Sequence, residues 1–338
     1  YSRVSIYDLS VIPLFMLMGA FAVHGGLSKA LFDFANALLG RFKGGMAMAG
    51  VLACAAFGSI SGSTVATTAT IAQVAYPEMR RINYSGRLAT AALATGGTMG
   101  VLLPPSVTLM VYAILTEQNI TKMFLAAYIP ALIAAVGYLI AIAVIVRIHP
   151  DQAPQAQAAS GSELLTSALN VWPIAAIFLV VFGGIYGGVF TATEGAAIGN
   201  VLTFAITLLR REMTFDKLVA SIRTTAQTSG MIFLIFIGAD MINASLALSQ
   251  LPAQLADMVG HLQISPLVVM AGIMIFYIIL GCVMDEMSMI LLTVPTLFPV
   301  ILGMDFFGLN PSDKALWFGI LILTVCEIGM IFPPVGLN

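Results

Sequence analysis

The sequence predicts an all-α polytopic membrane protein built as inverted repeats, each with a re-entrant helical hairpin and a discontinuous helix. Three observations carry that prediction. Apolar residues make up 59% of the chain and charged residues only 9%, whereas a soluble domain carries about 25% charged residues. The apolar runs last about 20 residues, the length of a spanning helix, and barrel strands would be shorter and alternating. Finally, polar, glycine-containing tips and Pro-Pro breaks interrupt apolar segments in the same order in each half of the chain.

In the first half, residues 9–23 read as one crossing. Residues 25–43 mix Lys29, Asp33, Arg41 and Lys43 with Leu and Phe, which suits an amphipathic helix at the interface. Residues 45–57 are apolar but short for a span. A break at 58–63, Gly-Ser-Ile-Ser-Gly-Ser, follows, and 64–76 run out again. Two short arms around such a tip read as a hairpin that enters and leaves on one side, since a bilayer tolerates irregular backbone only inside protein or at a wet cavity. Residues 77–87, with Glu78, Arg80, Arg81 and Arg87, read as a surface loop. Residues 88–103 go in and break at Pro104-Pro105, because proline lacks an N–H and clashes with the preceding turn. The helix resumes over 106–115.

Crossings follow at 124–146, 171–189, 196–209 and 228–248. A linker at 147–167 separates the first two, and Glu194 beside Thr191 reads as a helix cap. Residues 249–264 are amphipathic. The pattern then returns: an apolar arm at 267–280, a polar tip at 281–288, a returning arm at 289–302, and a segment at 316–332 that breaks at Pro333-Pro334. Gly100-Val101-Leu102-Leu103-Pro104-Pro105 lines up with Gly329-Met330-Ile331-Phe332-Pro333-Pro334. An odd number of crossings between the tips sets the hairpins on opposite faces. Lys and Arg gather on one side, which the positive-inside rule makes cytoplasmic. Inverted repeats with broken helices near the midplane point to a secondary transporter. The start at Tyr1 and the stop just after Pro334 predict further chain at both ends.

Helix ends interrupted in mid-bilayer expose carbonyls and amides, and hard cations prefer oxygen ligands. A first Na+ site is therefore expected from Gly58, Ser59, Ser61, Ser63, Gly97, Thr98, Gly100 and Leu103. A second is expected from Gly281, Cys282, Asp285, Met287, Gly329 and Phe332. The same small residues also serve close helix packing in membranes. Carboxylates in apolar segments are costly and point to function. Asp285 is the foremost of these, Glu286 and Glu327 are candidate proton carriers, and Asp240 also reads as an interhelical contact. An anionic substrate would be held by Ser61, Gly62, Ser63, Pro105, Ser106, Thr108, Asp285, Glu286 and Pro334, since no Arg or Lys falls deep in a span. No resident cofactor is expected beyond Na+ as coupling ion.

Other chemistries find little support. Cys54, Cys282 and Cys326 are scattered in apolar context and read as buried hydrophobes. His24, His149 and His261 read as solvated. Gly58-Ser59-Ile60-Ser61-Gly62 lacks the central serine of a nucleophile elbow. No Lys-Ser/Thr follows Gly96-Gly97-Thr98-Met99-Gly100, so it is not a phosphate loop. An enzyme and a nucleic-acid binder are thus disfavoured. A channel with re-entrant loops and a stand-alone Na+/dicarboxylate symporter stay open.

Four stretches resemble the large membrane subunit of TRAP (tripartite ATP-independent periplasmic) transporters. They are Pro13-Leu14-Phe15-Met16-Leu17-Met18-Gly19, residues 57–67 from Phe57-Gly58-Ser59 to Thr67, Gly100 to Ser106, and Phe190-Thr191-Ala192-Thr193-Glu194-Gly195-Ala196-Ala197. Ala192 and Gly195 depart from the expected Pro and Ala. The resemblance implies a Na+-coupled importer of organic acids such as C4-dicarboxylates or sialic acid in the bacterial inner membrane. It implies a small four-helix membrane subunit and a periplasmic substrate-binding protein as partners. It also implies an elevator motion. The transport part would be 45–115, 171–209 and 267–338. The scaffold and its arms would be 9–43, 124–146 and 228–264.

Overall fold

The computed structural model describes residues 7–154, 160–250, 254 and 265–332. Among these there are α-helices and short 3-10 turns but no strand. The α-helices are α1 (Val11–His24), α2 (Leu27–Leu39), α3 (Gly45–Ser61), α4 (Thr64–Arg81), α5 (Gly86–Leu102), α6 (Val107–Leu115) and α7 (Ile120–Ile148). They continue with α8 (Gly161–Tyr186), α9 (Ala192–Leu209), α10 (Phe215–Leu248), α11 (Pro266–Gly281), α12 (Glu286–Gly303) and α13 (Pro311–Ile331). Six of the described helices are long and apolar enough to cross a membrane, or up to eight if each bent pair is one span. The chain is thus an all-α, multi-pass membrane protein. α3 and α11 are shorter apolar helices, as hairpin arms require.

Two compact units organise the chain. One holds residues 10–107 and 128–226. In it α3 packs on α4 and both pack on α5, while α1 lies against α3 and α9, and α2 against α3 and α8. The other holds residues 108–127 and 227–337. There α11 packs on α12 and both pack on α13. Each unit therefore contains the same trio: two hairpin arms and the helix that follows them. α7 carries a row of exposed apolar side chains, Ile129, Leu132, Ile133, Val136 and Ile140, a surface suited to lipid.

Local chemistry sets the helix limits. α3 stops at Gly62, whose φ of +64° is left-handed and favours glycine. Ser63 then caps α4 by accepting from the Ala66 N–H. Ser160/Glu163 and Thr191/Glu194 form reciprocal capping boxes at the starts of α8 and α9. Pro311 stands in the first turn of α13 behind the Asn310 cap. α1 and α2 are bent by 70° where they join.

The structure moves several expected boundaries. The 58–63 break is narrower: α3 runs on through Ser61, because Gly58 serves a close helix contact rather than a chain reversal. α4 continues through Pro77 to Arg81, so the surface loop shrinks to residues 82–85. The linker at 147–167 is shorter, since α7 reaches Ile148 and the Ser160 capping box starts α8 at Gly161. α10 starts at Phe215, well before 228. Lys314 is buried rather than in a solvated loop; its Nζ donates to the carbonyls of Leu302 and Met304 at the end of α12, where a cation is favoured. His24 is half-buried, with Nδ1 near Ala20 O and 3.0 Å from Ser221 Oγ. Most of the amphipathic stretch 249–264 lies outside the described residues, as do His261, Pro333 and Pro334.

Candidate functional site

The first site forms where α3 crosses α5. A Cβ added to Gly58 would stand 2.3 Å from the Cα of Gly100, and one added to Gly100 would stand 2.5 Å from the Cα of Gly58. No side chain fits between them, so the two backbones touch. This contact sits one turn before the end of α3 and just before the end of α5. At the tip, a Cβ on Gly62 would meet Val107 Cγ2 at 2.8 Å. The hairpin tip therefore rests on the start of α6. The carboxyl ends of α3 and α5 and the amino ends of α4 and α6 gather around this crossing, with partial negative and positive charge respectively.

Hydroxyls line these ends, but they do not all point the same way. Ser59 Oγ donates to Ala56 O at 2.8 Å and Thr98 Oγ1 to Thr95 O at 2.9 Å, each within its own helix. Ser61 Oγ lies 2.6 Å from Thr67 Oγ1 and about equally far, 3.4 Å, from Gly58 O and Ser63 O. It thus links the end of α3 to the first turns of α4. Gly97 and Gly100 are buried on α5, and Leu103 is the extended residue that ends it. Ser106 and Thr108 are fully buried at the start of α6. Thr108 Oγ1 has no hydrogen-bond partner. The structure therefore brings Ser61, Gly62, Ser63 and Val107 together in one place.

Two participants escaped the sequence reading. Thr67 is fully buried and bonded to Ser61, yet it looks like one of several threonines in the apolar arm. Gly19 of α1 closes on the hairpin: a Cβ there would lie 2.7 Å from Ser61 Cα and 3.0 Å from Ile60 O. Its signal was present only as the glycine ending the Pro13–Gly19 stretch.

The second site repeats the geometry in the other unit. A Cβ on Gly281 would stand 2.8 Å from the Cα of Gly329, and one on Gly329 would stand 2.9 Å from both Gly281 Cα and Ile278 O. The tip after α11 is tight, with the Val283 and Met284 N–H groups both donating to Leu280 O. Cys282 Sγ is 3.2 Å from Ile278 O. Asp285 caps α12: one carboxylate oxygen accepts from the Ser288 N–H at 3.2 Å and the other from Ser288 Oγ at 2.6 Å. Glu286 and Met287 are buried in the first turn of α12. Phe332 ends α13 in extended backbone and is exposed. The candidate Pro334 lies outside the described residues.

Cys54, Cys282 and Cys326 are buried thiols outside any disulfide, as expected of small hydrophobes. Among the described residues no group of three or more His, Cys, Asp or Glu side chains could hold a metal ion. The polar groups beside the crossings are carbonyls and hydroxyls, joined at the second by the Asp285 carboxylate. Two apolar grooves of about 500 and 700 Å³ flank α3 and share Leu52, Ala56, Tyr128 and Phe178. No charged side chain lines either groove, so neither suits an anion.

The family described as "Tripartite ATP-independent periplasmic transporter, DctM component" matches residues 2–338. The C4-dicarboxylate TRAP transporter large permease protein DctM of Pseudomonas aeruginosa is 34% identical over 334 residues, covering 98% of this chain and 76% of that protein. The 2,3-diketo-L-gulonate TRAP transporter large permease protein YiaN of Escherichia coli is 31% identical, with the same two coverages. The isethionate TRAP transporter permease protein DctMQ of Oleidesulfovibrio alaskensis is 28% identical over 342 residues, covering all of this chain and 52% of that protein.

Proposed function

Because the chain belongs to the family of the tripartite ATP-independent periplasmic transporter DctM component, we propose that it is the large membrane subunit of a Na+-coupled importer of organic acids. One observation carries the coupling: glycine backbones cross twice, at Gly58/Gly100 and at Gly281/Gly329, each time where a hairpin meets the helix that follows it. Such crossings leave helix-end carbonyls beside hydroxyls or carboxylates, the chemistry that coordinates Na+ in broken-helix transporters.

The substrate class follows from two arguments. The relatives are named for a C4-dicarboxylate, 2,3-diketo-L-gulonate and isethionate, all small organic anions. Within this chain, the buried Ser106 just before α6 and the adjoining Gly62–Ser63 tip offer amides and hydroxyls to such an anion. Bound Na+ would offset the rest of its charge.

In this reading the chain sits in the bacterial inner membrane and is no enzyme. It takes substrate from a periplasmic binding protein and works beside a small membrane subunit. The longer relative whose name joins M and Q is consistent with that pairing. The hairpins and broken helices travel together past a scaffold in an elevator motion.

Reconstituted uptake tests the reading. A panel of labelled organic acids is offered to proteoliposomes with and without an inward Na+ gradient, the small subunit and the binding protein. Accumulation of one acid that needs all three supports the proposal. Accumulation without Na+, or without the binding protein, contradicts the corresponding part.

A further inference from the structure

We propose that Glu327 is the anionic ligand of a cation held between α13 and the first turn of α12, with Glu286 as its neighbour. The inference rests on the Na+ coupling proposed above and assigns a charge to the second site. Glu327 lies on α13 two residues before Gly329 and is 5% exposed. Both of its carboxyl oxygens are buried and neither has a hydrogen-bond partner. Glu286, the first residue of α12, is 8% exposed and within electrostatic reach of Glu327.

Among the described residues, no base on the surrounding helices offsets this carboxyl. On α11, Tyr277 directs its hydroxyl to Thr293. Cys326 is the titratable neighbour on α13 itself, and it too is buried. Asp285 at the tip holds Ser288 with both oxygens. Lys314, the buried base of this unit, binds carbonyls at the far end of α12. Tyr112 of α6 packs against Gly319, about 12 Å from Glu327 along the helix. A carboxylate enclosed without donor or countercharge is costly. A cation between Glu327 and Glu286 removes that cost. Affinity at such oxygen sites follows the number of charged ligands, so Glu327 sets how tightly this cation is held.

The test is direct binding of radiolabelled Na+ to the purified protein, which needs no substrate and no uptake. Glu327→Gln should raise the Na+ Kd at least about tenfold while melting in Na+-free buffer stays close to that of the unaltered protein. Glu327→Asp, which keeps the charge on a shorter arm, should recover part of the loss. If Glu327→Gln does not yield folded protein, a raised Kd in Glu327→Asp supports the assignment and an unchanged Kd overturns it. Asp33→Asn, an exposed carboxylate on α2, should bind as the unaltered protein does. Undiminished Na+ affinity in Glu327→Gln overturns this inference alone. Absence of Na+ binding in the unaltered protein overturns the coupling reading itself, so the two failures are distinguishable.

Discussion

Gly58 and Gly100 touch backbone to backbone, and neither position has room for a single methyl group. Gly281 and Gly329 repeat the contact in the second unit. Four glycines thus define two equivalent crossings, and the hydroxyl- and carboxyl-bearing ends of the hairpins lie beside them.

Gly58→Ala and Gly100→Ala should each destabilise the protein by about 1–3 kcal/mol, the usual cost of overpacking. Alanine favours a helix over glycine by about 1 kcal/mol, but the clash is with backbone, which cannot turn aside. Gly137→Ala in α7, where an added Cβ meets nothing within 4 Å, should be neutral or stabilising. Thermal unfolding in detergent checks all three. Equal melting of Gly58→Ala and Gly137→Ala would show that the close approach does not matter.

Ser61→Ala and Thr67→Ala should each weaken the Na+ dependence of uptake by several-fold. Their hydroxyls are 2.6 Å apart and join the end of α3 to α4. Ser59→Ala should do less, because its hydroxyl bonds back to Ala56 O. The Na+ concentration for half-maximal uptake is the measurement, and equal effects at all three positions would contradict the ranking.

Asp285→Asn separates two roles. Asparagine caps a helix about as well as aspartate, whereas alanine loses about 1 kcal/mol. Asp285→Ala should therefore lower the melting temperature and Asp285→Asn should not. If Asp285 also binds Na+, both variants should raise the Na+ requirement. A normal requirement in Asp285→Asn would leave the residue with capping alone.

Gly19→Ala should disturb the first site without removing any polar group. The new methyl would press on Ser61 Cα and Ile60 O, moving the hairpin tip. A raised Na+ requirement with intact Ser61 is expected, and unaltered uptake would show that α1 yields instead.

Much of this arrangement is legible in the amino-acid sequence. Prolines and glycines marked the hairpin tips and the break after α5 because their backbone limits act locally, whatever surrounds them. The same cues misplaced details whenever a contact decided the outcome. Gly58 looked like part of a turn, yet Gly62 reverses the chain and Gly58 accommodates α5. Pro77 looked like a loop, yet α4 carries it through to Arg81. The polar stretch after α7 looked like a long linker because its composition hid the Ser160/Glu163 capping box. Thr67, Gly19 and the enclosure of Glu327 depend on which helices cross, and no spacing along the chain encodes that.

The most direct test of the account is the Na+ dependence of substrate uptake by the reconstituted complex. Two cation seats that must both fill predict a sigmoidal rise, with a Hill coefficient above about 1, that becomes shallower when Ser61 is replaced by alanine. Uptake that saturates along a simple hyperbola, or that proceeds equally in choline, would contradict it.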